Sequence, residues 1–435
     1  MRILAIGAGA VMLSWPGLVN MFPIVFSDTH AFLVMGGEPW MVWDKPFVYG
    51  PVLRLLHLKY SLWLPLAAQV LVVSHLLWQV RGVFAAPTAV FHLGLCAVLS
   101  GFSALPWVAS LLMPDILAPV AVLSLFILGF SPVLSRGQGG WLVVLASVAV
   151  ASHLAYLPLA AVVIGLSLIL RGRRIVLVPL VAAVGFLVAS NAIGHGKFGI
   201  SPYGSVFALA RLISDGPAQT VLARECPGSG WRMCEWQGRF TADSDQFLWD
   251  SSGPVWSGPG GPRALAPEAS AIVRATVLQE PEAVLRFALA NSFEQLGRVR
   301  LGDVLGNDSL EASIAGSLTA YFPPAEMARF RAGRQLREKL RAVAEPLNPI
   351  HSAALVLGAG ATIVIAWRRR GQALGTLAAL ILVGVLTNAV VSGALSRPHD
   401  RYQVRIAWLV LLPPLLMLPV VRPGLGLSRI RSSGR

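Results

Sequence analysis

Charge is what this 435-residue chain has least of: 13% of its residues are Asp, Glu, Lys or Arg, against roughly 25% in an average soluble domain. Lysine is scarce, and the basic residues are nearly all arginine. Cysteine occurs three times, at positions 96, 226 and 234. There is no Walker-type phosphate loop, no G-x-G-x-x-G behind a strand, no G-x-S-x-G elbow and no internal repeat. ATP hydrolysis and dinucleotide chemistry therefore have no sequence support. No His/Cys set has zinc-site spacing. What is abundant is apolar: 55% of the residues, with a positive mean hydropathy. That excludes a disordered chain and an ordinary soluble enzyme, and it predicts an all-α polytopic membrane protein. The net charge of +14 invites a nucleic-acid reading until the charges are placed along the chain.

A bilayer core of about 30 Å needs roughly 20 apolar residues per helix. About ten segments qualify or nearly do: 3–22, 62–80, 86–105, 115–131, 141–153, 155–170, 175–194, 350–367, 373–395 and 406–421. The fifth and sixth are short, separated only by Ser152-His153-Leu154, and compatible with a re-entrant hairpin. Ser14-Trp15-Pro16-Gly17 is a poor cleavage site, so the first segment reads as a retained helix. With the N-terminus inside, one face holds Arg2, Arg81, Arg136, Arg171, Arg173, Arg174, Arg368, Arg369, Arg370, Arg422, Arg429, Arg431 and Arg435, and no acid. This asymmetry predicts a multi-pass protein of a bacterial cytoplasmic (inner) membrane with both termini cytoplasmic. It also turns the +14 into an orientation signal in contact with membrane lipids, with no nucleic-acid partner.

The stretch 195–347 holds 16 of the 21 acidic residues and is rich in Gly, Pro and Ser between 227 and 262. It reads as a mainly helical extracytoplasmic (periplasmic) domain between the N-terminal bundle 1–194 and the C-terminal bundle and basic tail 348–435. In an oxidising compartment Cys226 and Cys234 predict a disulfide; Cys96, mid-helix, reads as packing. Pro281 to Arg300 reads as a helix with Leu285, Leu289, Phe293 and Leu296 on one face. Pro324 to Ala344 reads as a second amphipathic helix lying on the membrane surface. Met327, Phe330, Leu340 and Val343 form its apolar side, opposite Arg331, Arg334, Arg337 and Arg341.

Four polar clusters fall at one membrane face, where an ionisable group needs a reason. The first is the loop Ser27-Asp28-Thr29-His30, continuing through Glu38, Asp44, Lys45, Tyr49 and Arg54. The second is Met113-Pro114-Asp115, and the third is Ser152-His153-Leu154-Ala155-Tyr156. The fourth runs from Ser396 through Arg397, His399, Asp400, Arg401 and Tyr402 to Arg405. Each has a bland alternative: a helix cap for Asp28, a cap and helix-dipole contact for Asp115, and a satisfied bundle residue for His153. The fourth resists one best, because three arginines at a face opposite the basic one suit a phosphate headgroup.

Ser27-Asp28 with the later Asp44-Lys45-Pro46-Phe47-Val48-Tyr49-Gly50-Pro51, Met113-Pro114-Asp115, and Asp400-Arg401-Tyr402-Gln403-Val404-Arg405 entering the last helix together give a pattern that resembles the GT-C glycosyltransferases. The resemblance covers mainly 1–200 and 350–420. It implies a membrane enzyme that moves a sugar from a polyprenyl-phosphate donor to a glycan, lipid or protein acceptor. Asp28 and Asp115 would be the catalytic pair, with Asp28 as general base or cation ligand and its pKa raised by apolar neighbours such as Phe26. Arg401 and Arg405 would stabilise the leaving phosphate. His30, Asp44, Lys45, Tyr49, His153, Arg397, His399 and Tyr402 would complete the substrate site. A single Asp replaces the family's paired acidic motif, which leaves a divalent cation (Mg²⁺ or Mn²⁺) open. A transporter or flippase and a non-catalytic envelope assembly protein are the competing readings.

Overall fold

The computed structural model describes residues 1–418 apart from 39, 227 and 308. Among them every regular element is helical, and the one β-type contact is a single parallel bridge between Ile24 and Leu111. The end of the expected segment 406–421 and Arg422, Arg429, Arg431 and Arg435 lie outside the described residues.

The N-terminal part contains α1 (Arg2–Leu13), α2 (Trp15–Asn20), α3 (Thr29–Gly37), α4 (Tyr49–His57), α5 (Trp63–Phe84), α6 (Ala89–Phe102), α7 (Leu105–Ser110), α8 (Leu117–Phe130), α9 (Arg136–Ala151), α10 (Tyr156–Ile169) and α11 (Leu177–His195). The segment 3–22 is thus two helices. The Ser14 hydroxyl donates to the Val11 carbonyl at 2.9 Å, and Pro16 has no N–H to continue the ladder. The pair expected at 141–170 separates as α9, opened by a Ser135/Gln138 capping box, and α10. α9 packs chiefly on α8 and α11, whereas α10 packs on α21 (Ala373–Leu395).

The insertion comprises α12 (Gly204–Asp215), α13 (Pro217–Glu225), α14 (Ser244–Trp249), α15 (Gly261–Gln279), α16 (Pro281–Gly297), α17 (Leu310–Tyr321), α18 (Pro324–Ala332) and α19 (Arg341–Ala344). Then come α20 (Asn348–Arg368), α21, α22 (Asp400–Ala407) and α23 (Leu412–Leu416). Among the described residues, four runs are long and apolar enough to cross a membrane: Trp63–Phe84, Arg174–His195, Arg341–Arg368 and Ala373–Leu395. The protein is therefore a membrane protein of all-helical architecture. The other apolar segments lie on shorter helices. The 14 residues of α6, α8 or α10 span about 21 Å at 1.5 Å per residue.

Packing divides the insertion in two. Tyr203, Val206, Leu209, Ile213, Met233, Phe247, Leu265 and Ile272 form a small core of their own, with Trp43 packed against it. The Cys226–Cys234 disulfide, with Cα atoms 5.7 Å apart, lies in this unit. Residues from Leu301 onward, including Leu305, Ile314, Leu318, Phe330 and Leu340, join the main core of the membrane helices. So 195–347 is not one packing unit.

The expected surface helix 324–344 is corrected as well. α18 stops at Ala332, and Arg334 N–H donates to the Asn20 carbonyl at 3.1 Å. Gln335 then enters the core, and Glu338 adopts a left-handed φ of 58°. Phe330 and Leu340 are buried against the bundle, so this segment wedges into protein rather than floating on lipid. Glu326 fixes it there. One of its buried carboxylate oxygens accepts from Ser61 Oγ (3.0 Å) and from the Leu62 N–H (2.7 Å). It thereby satisfies a donor left open at the start of α5.

Candidate functional site: a charged cavity with an apolar arm

Backbone pairing brings the first and second polar clusters together. The Ile24 N–H donates to Ser110 O (3.0 Å) and the Leu112 N–H to Ile24 O (2.8 Å). Thr29 Oγ1 donates to Leu112 O at 3.2 Å. The loop carrying Asp28 is thus sewn to the strand-like stretch that leads into Asp115. Gln335 holds the same loop from the other side, giving its amide to Val25 O and Val304 O while its carbonyl accepts from Val25 N–H. In α3 and α4, Gly36 and Gly50 let the backbones touch: a Cβ on Gly36 would lie 2.7 Å from Gly50 O.

The fourth cluster arrives because α22 folds back along α21. Asn388 donates its amide to Tyr402 O (2.7 Å) and Gln403 Oε1 (3.0 Å), and its own carbonyl accepts from Arg405 Nε and Nη2. The result is an alternating row of charge. Lys45 pairs with Asp44, and its Nζ lies 3.2 Å from Asp28 Oδ1. Arg401 Nη2 lies 3.8 Å from Asp28 Oδ2, and its Nε lies 3.7 Å from Asp115 Oδ1; Arg405 Nη1 is 3.9 Å from that same oxygen. Three acids and three bases balance. Two atoms remain buried without a hydrogen-bond partner among the described residues: Arg401 Nη1 and Asp115 Oδ1. Such groups are costly in a dry interior and common where a ligand is to be met.

Five of these six charged side chains line a cavity of about 400 Å³. Asp28, Asp44, Lys45, Asp115, His153, Arg401 and Tyr402 face it at one end. Leu154, Leu157, Pro158, Val391 and Leu395 line an apolar arm, and Phe207 and Trp249 of the small insertion unit close a further wall. Asp28 keeps 31% of its side-chain surface open, more than Lys45 or Arg401. It occupies the cap position of α3 but caps nothing; its carboxylate is turned to Lys45.

Its ionisation differs from the sequence expectation. Burial raises the pKa of Asp28, as expected, but the Lys45 and Arg401 cations outweigh that and hold it below the ordinary carboxylate value. Lys45 shows the mirror effect: burial pulls it down, and Asp28 and Asp44 lift it above its usual value. Asp28 and Lys45 therefore face each other as an ion pair at neutral pH.

Five candidates do not reach the cavity. His30 Nδ1 meets Ser317 Oγ at 2.8 Å. Tyr49 is buried and donates to Gln69 Oε1 at 2.8 Å. Arg397 pairs with Asp243 (2.7 Å) and Asp245 (3.3 Å), and His399 Nε2 lies 3.5 Å from Asp245. These two tie the loop before α22 to the small insertion unit. Arg405 lies behind the cavity, held by Asn388 and Ser392 and stacked near the Tyr156 ring. His153 does line it, with its ring against Tyr156 and Nδ1 accepting the Ala155 N–H. Sequence reasoning missed Gln335, Gln69 and Asn388, which position the site, and Trp249, which walls it. Gln69 and Asn388 gave one signal, an uncharged amide inside an apolar run; Gln335, set among Arg334, Arg337, Glu338 and Lys339, gave none.

A divalent cation does not fit the donors present. No group of three or more His, Cys, Asp or Glu side chains gathers among the described residues, and the space between Asp28 and Asp44 is taken by the Lys45 ammonium. No protein-family model matches this chain, and neither a curated protein nor a solved structure does.

Proposed function

We propose that the chain is a membrane glycosyltransferase of GT-C-like fold, moving a sugar from a polyprenyl-phosphate donor to an acceptor hydroxyl. The observation that carries this reading is the shape of one cavity: a charged end where Arg401 keeps a buried, unpartnered Nη1, continuous with an apolar arm. An amphiphile with an anionic head matches both ends. In this reading the ten apolar segments cross the cytoplasmic membrane, the termini are cytoplasmic, and the cavity opens at the outer face.

The lipid phosphate lies against Arg401, whose uncommitted Nη1 meets a phosphate oxygen, and against Lys45. The prenyl chain follows Leu157, Val391 and Leu395. Asp28 accepts the proton of the acceptor hydroxyl as its oxygen bonds to the anomeric carbon from the face opposite the phosphate. The carbon–oxygen bond to phosphate breaks, and its electron pair stays on the phosphate, whose growing charge Arg401 and Lys45 stabilise. The anomeric configuration inverts. Asp115 and Arg405 do not touch substrate in this scheme; they hold the Arg401 guanidinium in place.

The test is transfer in reconstituted vesicles supplied with labelled polyprenyl-phosphate sugars. Asp28→Asn, inserted and folded like the parent, is expected to abolish product. Undiminished transfer would remove Asp28 from the reaction. Transport of the intact lipid-linked sugar without transfer would instead support a flippase.

A further inference from the structure

The sequence pattern put Leu285, Leu289, Phe293 and Leu296 on one face of a helix, and an amphipathic helix ordinarily turns such a face toward a core. α16 does the opposite. These four side chains are 61%, 51%, 75% and 36% exposed. They occupy an arc of about 80° at 3.6 residues per turn. The buried side of α16 is polar instead: Ser292 and Gln295 are its buried residues, Gln295 donates to His399 O and accepts His399 N–H, and Asn291 donates to Asp215. The hydrogen bonds to the protein come from these polar side chains, with Val284 and Phe287 half-buried beside them, and the apolar stripe is left over.

What covers it follows from its neighbour. α16 packs more extensively on α21 than any other two helices pack on each other. α21 is one of the four membrane-crossing runs. The contact is close: a Cβ on Gly393 would meet the backbone of Asn291 and Ser292. α21 also turns Leu386 and Val390 outward, each about half exposed. A helix lying against a membrane span, bonded to the protein by buried polar side chains and turning an apolar stripe away from it, has the pattern of a lipid-facing element. Exposed Arg286 lies beside the stripe, and exposed Arg300 lies past its C-terminal end, where lipid phosphates would meet them; Arg298 between them is paired with Glu294. A contiguous exposed apolar stripe on a soluble domain would otherwise be an aggregation liability.

We propose that α16 is immersed in the acyl region of the bilayer, so that the insertion dips into one leaflet beside α21. The occupant of its apolar face is lipid. This stands independently of any catalytic role.

Spin labels placed on the full-length protein test it. Leu289→Cys, Phe293→Cys, Leu296→Cys and, as the aqueous control, Asp250→Cys are each made in a Cys96→Ala background and labelled without reductant, which leaves the native disulfide intact. The protein is reconstituted into phosphatidylethanolamine–phosphatidylglycerol vesicles. Collision rates are compared for oxygen, which concentrates in acyl chains, and for a water-soluble nickel chelate. At 289, 293 and 296 oxygen collisions are expected to exceed nickel collisions several-fold, with the order reversed at 250. Nickel access at 293 equal to that at 250 would overturn the proposal. Low access to both reagents at all three positions would overturn it as well, because a protein surface, a second copy included, would then be the cover. Three test positions keep the result decisive if one variant fails to fold.

Discussion

The Lys45 ammonium stands 3.2 Å from one carboxylate oxygen of Asp28 and pairs with Asp44 on its other side. A lysine thus occupies the place between two acids where a bound cation would otherwise balance them. It also sets the ionisation of Asp28, because burial alone would push that carboxyl up, and Lys45 is the first of the two cations that reverse the direction.

The consequence for pH has a definite sign. A carboxyl whose folded pKa is depressed adds stability that is fully present above its ordinary value of 3.8, and the gain is lost only as pH falls through the lowered value. Transfer by the parent protein is therefore expected to show no acid limb from Asp28 above the ordinary carboxylate value of 3.8. Lys45→Met removes the leading counter-charge and leaves burial in control. Its acid limb is expected to move to higher pH, with a fall in maximal rate of about 100-fold, the scale for one lost electrostatic contact to a developing charge. A pH–rate profile of both proteins checks this; an unmoved limb would dissociate Lys45 from Asp28.

Arg401 gives a different prediction. Its guanidinium spans the gap between Asp28 and Asp115 and packs over the Phe26 ring at 4.5 Å. A lysine keeps the charge but has no planar fork to reach both acids and a phosphate. Arg401→Lys is expected to lose about 100-fold in transfer and to weaken retention of polyprenyl phosphate, while insertion is unchanged. The checks are single-turnover transfer and a binding assay with the unglycosylated lipid phosphate.

How far the sequence exposed this arrangement depends on the residue. The charges at 28, 45, 115 and 401 were conspicuous because ionisable groups are rare in so apolar a chain, and they do line one cavity. Arg397 and His399 looked equivalent to Arg401 in the same short stretch, yet they serve Asp243 and Asp245. Local sequence does not record which way a loop faces once a helix folds back. The helix expected through 324–344 matched the apolar spacing, but tertiary hydrogen bonds to Asn20 and Val25 broke it at Gly333. The amphipathic pattern of 281–300 was read correctly as a helix, whereas the medium its apolar face meets was not legible from spacing.

Glu326 offers a stability test away from the cavity. Its carboxylate is fully buried, bonded to Ser61 Oγ and the Leu62 N–H, with Arg329 Nη1 at 3.1 Å on the other oxygen. Glu326→Ala strips a helix start of its acceptor and leaves buried donors open. A loss of about 2 kcal/mol is expected, the range for hydrogen bonds to a charged group. Glu326→Gln, which keeps one acceptor oxygen, should recover part of it. Thermal unfolding in matched detergent measures both, and equal losses would show that the charge, rather than the acceptor, matters.

The last prediction concerns the small unit around Tyr203–Ile272. Its core is modest, and the Cys226–Cys234 bridge closes a short loop separated by eight residues. Closing a loop of that length stabilises by about 2–3 kcal/mol in the chain-entropy account. The unit also supplies Phe207 and Trp249 to the cavity wall and is latched by Arg397 to the loop before α22. Cys226→Ser with Cys234→Ser is therefore expected to raise backbone hydrogen exchange throughout α12–α15, with little change in α5 and α21, whose contacts belong to the main core. Transfer should fall through weaker substrate retention, seen as a raised KM with kcat less affected. Uniformly faster exchange across the membrane helices would instead mean that the two cores unfold together.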